Sequence, residues 1–218
     1  KINQKDFAEG RMKITKLEFC KKNKQRVNVY LDDAFAFALF YDLVSERGIA
    51  KGKTLTESDV LELKNADMKL ISTRAAFDIL AKRGISYGLL VERLQKKGIP
   101  EEFATKTAKY LEQKKYINDE QYALSKAKYL EESKKYGKER IKIALMQDKI
   151  SKELIYETLL KLPNDIMMEN LDEILANLVA KTDMNDYSQK QKMVMKIVRK
   201  GYSFDEINKA IARYNKDE

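Results

Sequence analysis

The sequence predicts a mainly α fold: three tandem three-helix repeats in an elongated, curved array, preceded by a small antiparallel β-rich N-terminal segment. Two observations predict it. A unit recurs three times in register with its apolar positions kept, and the first sixty-odd residues instead alternate at strand period.

In the N-terminal segment, Thr15, Leu17 and Phe19 alternate with polar neighbours, as do Val27, Val29 and Leu31, then Phe35, Phe37 and Leu39. A period of two predicts three short strands. Lys21-Lys22-Asn23-Lys24-Gln25 links the first two, with Asn23 suited to a positive φ, and Asp32-Asp33 suits a two-residue hairpin turn before the third. A helix is expected to begin near Thr56, with Asp59 in capping-box position, and to lead through Val60, Leu61 and Leu63 towards the first repeat.

Three junctions set the register of the repeats: Lys97-Gly98-Ile99-Pro100, Asp148-Lys149-Ile150-Ser151 and Lys200-Gly201-Tyr202-Ser203, spaced 51 and then 52 residues apart. Upstream of each lies an i, i+4 apolar pair, Leu90/Leu94, Ile141/Leu145 and Met193/Ile197. Downstream, Ala104, Thr107, Ala108 and Leu111 correspond to Ile155, Thr158, Leu159 and Leu162 and to Ile207, Ala210, Ile211 and Tyr214. These are one-sided helical stripes. Pro100, Ser151 and Ser203 are helix-start residues followed by acids, and Gly98 and Gly201 suit the left-handed residue that ends the previous helix. Asp148-Lys149 has no glycine, so the middle junction is expected to end less cleanly. A third helix precedes each pair, over about Leu70 to Lys82, Asp119 to Glu132 and Leu171 to Ala180. The expected parts are residues 1–66, a β-rich domain with its linking helix, and repeats at 67–116, 117–163 and 164–218. A bundle of about fifty residues buries little apolar surface alone, so neighbouring repeats should stack.

Composition narrows the function. No apolar run approaches the roughly 18 residues that span a bilayer, and no signal-peptide pattern opens the chain, so a cytoplasmic, membrane-free protein is expected. Cys20 is alone, which excludes an internal disulfide, and with no histidine the usual zinc ligand sets and the commonest general base are missing. No catalytic residue, metal or cofactor is expected. Net charge is +9, distributed as +3 over 1–66, +5 over 67–116, +2 over 117–163 and −1 over 164–218. Such a field favours a polyanion or an acidic protein face; a Lys-rich solvated chain would show the same excess.

Two sites resemble chemistry without supporting it. Gly48 to Thr54 mimics a phosphate-binding loop but has three residues between its glycines where four are needed, and Leu55 to Asp59 starts a new helix. Asp32-Asp33 reads as a turn and not as an acid-base pair. Tyr87, Tyr110, Tyr116, Tyr122, Tyr129 and Tyr136 stand mostly at helical spacing, where packing on a neighbour is commoner than base stacking.

Four segments carry a family likeness: Ser86 to Leu94 running into Lys97 to Glu102, Tyr116 to Ala123, Tyr136 to Ile141, and Arg199 to Ile207. In order and spacing the chain, from about Ile14 to Tyr214, resembles RecX, the bacterial regulator of the RecA recombinase. The resemblance implies a non-enzymatic protein, expected as a monomer, that binds RecA filaments on DNA along the groove. It would inhibit recombinase, ATPase and coprotease activities and so modulate DNA repair and the SOS response. The competing reading is a basic helical-repeat module that binds single- or double-stranded DNA without RecA. The contact face is expected at Lys82, Arg83, Arg93, Lys96 and Lys97 in the first repeat and Lys134, Lys135, Lys138, Arg140 and Lys142 in the second. Lys21, Lys22, Lys24 and Arg26 form a possible DNA-contacting hairpin.

Overall fold

The computed structural model describes residues 10–217. It falls into two compact units. One runs to Ala81 and takes in Leu94–Thr107; the other comprises Lys82–Arg93 and the chain from Ala108.

The first unit holds a four-stranded antiparallel sheet in the order β3-β2-β1-β4, built from β1 (Met12–Phe19), β2 (Arg26–Leu31), β3 (Ala34–Phe40) and β4 (Thr54–Leu55). Three strands form where the alternation placed them; β4, only two residues long, was below the reach of a period. Asp32 and Asp33 make the hairpin turn with φ of 48° and 65°, both in the left-handed region that a two-residue turn of this twist requires. Local hydrogen bonds hold it: Lys13 N–H donates to the Asp32 carboxylate (3.0 Å), and Asp33 N–H donates to Thr15 Oγ1 (3.0 Å). Asn23 keeps a negative φ, unlike the expectation, because its side chain instead accepts the Gln25 N–H at 2.9 Å.

Two bulges shift the alternation. Ile14 pairs with Leu31 and Lys16 with Tyr30, leaving Thr15 over, while Val29 pairs with Phe37 and Tyr30 with Phe35, leaving Ala36 over. Each extra residue flips the strand's faces. Ile14 therefore takes the buried place in β1, and Phe35 turns to the Tyr30 face, where it is 59% exposed with its ring edge-on at 5.9 Å.

Tyr41–Glu46 forms α1, absent from the expectation because six residues carry no readable period. The helices expected from Thr56 and from Leu70 are one helix, α2 (Glu57–Leu80), since neither glycine nor proline interrupts it. Its capping box is formed as expected, with Asp59 N–H donating to Thr56 Oγ1 (3.1 Å) and Thr56 N–H to the Asp59 carboxylate (2.8 Å). Buried Asp67 fastens α2 to the sheet, accepting from Phe40 N–H at 2.9 Å and from the Arg26 guanidinium at 2.8 Å. Ser72 and Thr107 hydroxyls meet at 2.7 Å in the same unit.

The remaining helices are α3 (Tyr87–Lys96), α4 (Glu101–Gln113), α5 (Asp119–Lys134), α6 (Lys138–Gln147), α7 (Lys152–Leu160), α8 (Asn164–Val179), α9 (Tyr187–Arg199) and α10 (Phe204–Asp217). α8 starts well before Leu171, directly after Pro163. In the second unit α5, α6 and α7 pack on one another, α8, α9 and α10 do the same, and α5 meets α8. The stripes read from the sequence form one core, with Ile141, Leu145, Ile155, Leu171, Met193, Ile197 and Ile207 all nearly inaccessible.

The middle junction closes like the other two. Lys149 adopts φ 61°, beside 83° at Gly98 and 97° at Gly201, and Ile150 N–H bonds back to Leu145 (3.1 Å) as Ile99 N–H does to Leu94 (3.2 Å). The expectation of a ragged end is corrected: a side chain can take this conformation at a cost of about 1 kcal/mol. The carbonyl preceding the left-handed residue is also used alike. Ser86 Oγ donates to Asp148 O, and one period later Gly137 N–H donates to Lys200 O at 2.9 Å. Backbones touch at the second joint. A Cβ on Gly201 would lie 2.5 Å from Arg140 Cβ, and one on Gly137 would lie 2.5 Å from the Gly201 carbonyl carbon.

Gly98→Ala meets nothing within 4 Å and should cost only the left-handed strain, about 1 kcal/mol. Gly201→Ala adds overpacking and should cost a further ~2 kcal/mol. Urea unfolding followed by circular dichroism, read in the transition of the unit that holds each glycine, gives the ordering.

Candidate functional site

The expected cations fall into three groups. Arg26 is structural: its guanidinium binds Asp67 (2.8 Å) and the Ala38 carbonyl (2.6 Å) and lies 4.8 Å from the Phe40 ring centroid. It is removed from the DNA-contacting set, because a cation so held would leave buried Asp67 unpaired if it moved. Lys135 is also committed, ending α5 at φ 52° and pairing with Glu173. Lys138 donates to Asn164 (2.8 Å), and Lys142 lies 3.6 Å from Glu139 across one turn, both at the surface, where such ties hold weakly.

Lys21, Lys22 and Lys24 stay exposed in the turn between β1 and β2. Beside them Phe19 and Tyr41, each half exposed, stack at 5.5 Å between centroids. Lys82 and Arg83 are exposed and Arg93 is half-buried in the second unit; Lys96 and Lys97, exposed at the end of α3, belong to the first.

One arrangement gathers cations from two parts of the sequence. Tyr136 lies between α5 and α6 with the Arg140 guanidinium 5.7 Å and the Lys200 ammonium 5.8 Å from its ring centroid. Lys200 also donates to the Lys134 carbonyl (3.1 Å), and Lys134 lies 5.9 Å from the exposed Tyr129 ring. The aromatic faces and, for Lys200, the Lys134 carbonyl hold the cations in place. Lys200 was not among the expected residues. It sits in the net acidic third segment, and only its junction position, one residue before Gly201, marks it for this place.

Tyrosine roles divide. Tyr110, Tyr116 and Tyr129 are about half exposed, and Lys114 lies 5.9 Å from the Tyr110 ring centroid as Lys134 does from that of Tyr129; Tyr122 is half-buried. The Tyr122 hydroxyl donates to the Asp148 carboxylate (2.6 Å), which also pairs with Lys126, and burial with this bond pushes the phenol well above its ordinary range. In the Gly48 to Thr54 loop, Lys53 Nζ donates to the carbonyls of Arg47 (3.0 Å) and Gly48 (3.3 Å). Among the described residues no group of three potential ligands could hold a metal, and no helix is long and apolar enough to cross a membrane.

Known proteins resemble this chain in sequence and in fold. The family model for the Regulatory protein RecX N-terminal domain matches residues 12–56, the sheet with its first helix. A Regulatory protein RecX from Clostridium botulinum (strain Alaska E43 / Type E3) is 32% identical over 203 residues, covering 91% of this chain and 94% of the relative. The chain belongs to the RecX family. A second RecX, from Bacillus pumilus (strain SAFR-032), is 29% identical over 199 residues, covering 91% of this chain and 76% of the relative. In fold the chain is similar to a solved crystal structure of regulatory protein RecX, with TM-score 0.66, 24% identity, 95% of this chain and all of the other covered. The RecX of Lactobacillus salivarius gives TM-score 0.63 at 20% identity over 69% of this chain and 98% of that one. Membership in a family of regulatory proteins sets the context for the cations: they are candidates for recognition.

One acid inside the second unit has no such role. Glu131 is 1% exposed, with Oε1 lacking a hydrogen-bond partner, and burial first, then Glu132, raises its carboxyl above the ordinary value of 4.5. A carboxyl raised on folding supports stability fully below its unfolded value and loses that support as pH rises through the folded one. Glu131→Gln should therefore match the parent protein near pH 4 and exceed it increasingly towards pH 7.5. Thermal unfolding across that range measures the difference.

Proposed function

We propose that this protein binds RecA filaments on DNA along their groove and inhibits recombinase, ATPase and coprotease activities without catalysing a reaction, thereby modulating DNA repair and the SOS response. Segments 67–116, 117–163 and 164–218 act in this reading as three tandem modules. The observation that carries the proposal is the pair Arg140 and Lys200 over Tyr136, with Lys134 over Tyr129 beside it, in a chain of the RecX family. A filament presents a repeating array of protein and phosphate, and a series of like modules meets such an array with several weak contacts that add through effective concentration. Cations already ordered on an aromatic ring lose less freedom on binding.

Arg140→Glu combined with Lys200→Glu should keep the circular dichroism spectrum, lower stability by about 1 kcal/mol through loss of the Lys200–Lys134 bond, and weaken inhibition of RecA ATPase by at least about tenfold. Steady-state ATPase titrations on single-stranded DNA measure it. Unchanged inhibition removes the cluster from the interface.

A second reading has its own observation. Lys21, Lys22 and Lys24 project from one turn beside the Phe19–Tyr41 pair, an arrangement suited to nucleic acid without RecA. If all three lysines meet phosphates, replacing them with alanine should flatten the log-log salt dependence of single-stranded DNA binding by about 2, at about 0.7 per phosphate. Fluorescence anisotropy at several salt concentrations separates this from the filament reading, which requires RecA.

A further inference from the structure

The surface between α6 and α7 differs from its counterparts one period away. Met146, Tyr156 and Leu160 are 47%, 66% and 65% exposed. One period earlier their places are held by Gln95, Thr105 and Lys109, and one period later by Val198, Asn208 and Ala212. The shared fold therefore does not demand large apolar side chains there. With Ile155 and Leu159 they line a groove of about 570 Å³. Single exposed apolar residues are ordinary; a continuous apolar groove on one repeat is a recognition surface.

Its charge says what fits. Lys138, Lys142 and Lys152 line the same groove, against the single acid Glu139. Most of the apolar lining is aliphatic and gives a nucleic-acid base little to stack on, whereas it suits leucine-like side chains, and the ammonium groups suit carboxylates beside them. We propose that the α6–α7 groove docks an amphipathic helix of a partner protein, apolar on one face and flanked by acidic residues. This rests on the filament reading, in which the partner is the recombinase subunit itself. The groove then supplies a protein contact distinct from the phosphate-directed cations around Tyr136.

Two variants test it on the full chain. Tyr156→Ser with Leu160→Ser removes the apolar anchors, and Lys142→Glu with Lys152→Glu reverses the rim; all four side chains are exposed and should leave the fold unchanged by circular dichroism. Binding is measured to RecA without DNA, to RecA on single-stranded DNA, and to bare single-stranded DNA, with sedimentation of the protein alone. The expected result is a loss of about tenfold or more in affinity for RecA in both variants, with bare DNA binding unchanged in the serine variant. Unchanged affinity for RecA in the variants, with the parent protein binding it, overturns the groove and leaves the filament reading standing. An equal loss on bare DNA assigns the groove to nucleic acid and overturns the proposal. So does a change confined to self-association. Failure of the parent protein to bind RecA sinks the filament reading, and the groove's assignment with it.

Discussion

Close approach of backbone to backbone at the Gly137–Gly201 joint constrains the second unit. The Gly137 N–H reaches the Lys200 carbonyl at 2.9 Å, and neither glycine has room for a Cβ. Once that distance is set, the start of α6 and the end of α9 cannot move apart without exposing an amide and a carbonyl that have no other partners nearby. The Tyr202 hydroxyl donating to Lys135 O (3.3 Å) and Lys200 Nζ donating to Lys134 O repeat the restraint one turn away. Tyr136, held in the same region, then has cations from two parts of the chain over it. A site that draws Arg140 and Lys200 together exists only because the joint does.

The joint also explains why a lysine can stand where glycine is usual. At Lys149 the left-handed strain is offset locally: Asp148, just before it, accepts from Ser86, Tyr122 and Lys126, so that turn is fastened by side chains. At Gly201 the facing Arg140 backbone leaves no space for the same solution. The two joints share a carbonyl acceptor and differ in donor, a hydroxyl in one and a backbone amide in the other, and the sequence at each follows the available space.

Much of the helical part was legible because its signals are periodic. The spacing of the junctions, the i, i+4 pairs and the start residues Pro100, Ser151 and Ser203 located the ends of α3, α6 and α9 and the starts of α4, α7 and α10 within a residue or two. What escaped had no period. α1 and β4 are too short, the bulges at Thr15 and Ala36 displace a pattern without erasing it, and the merger of two expected helices into α2 depended on the absence of a breaker. Site residues were harder still. Arg26 and Lys21 look alike in sequence, and only the fold brings Asp67, 41 residues on, against one of them. Lys200 was hidden by the acidic average of its segment, since net charge says nothing about which cation a helix end delivers elsewhere.

The same distinction orders the surface by function. A cation neutralised by a nearby carboxylate, as Arg26 and Lys135 are, must give up that partner before meeting another charge, so its contribution to binding is discounted. A cation resting on a ring gives up little, because the ring's attraction and a phosphate's act from different sides. By that criterion Arg26 and Lys135 drop out, exposed Lys82, Arg83 and Lys97 remain as single charges, and two groups stand: the turn at Lys21 to Lys24 in the first unit and the Tyr136 cluster in the second. The lysines around Met146, Tyr156 and Leu160 fall outside both, since a phosphate seated on these apolar neighbours loses hydration at a cost, whereas an apolar side chain there is buried at a gain. Charge count alone would treat these places as one field; the company each lysine keeps separates the surfaces proposed for phosphate from the groove proposed for protein.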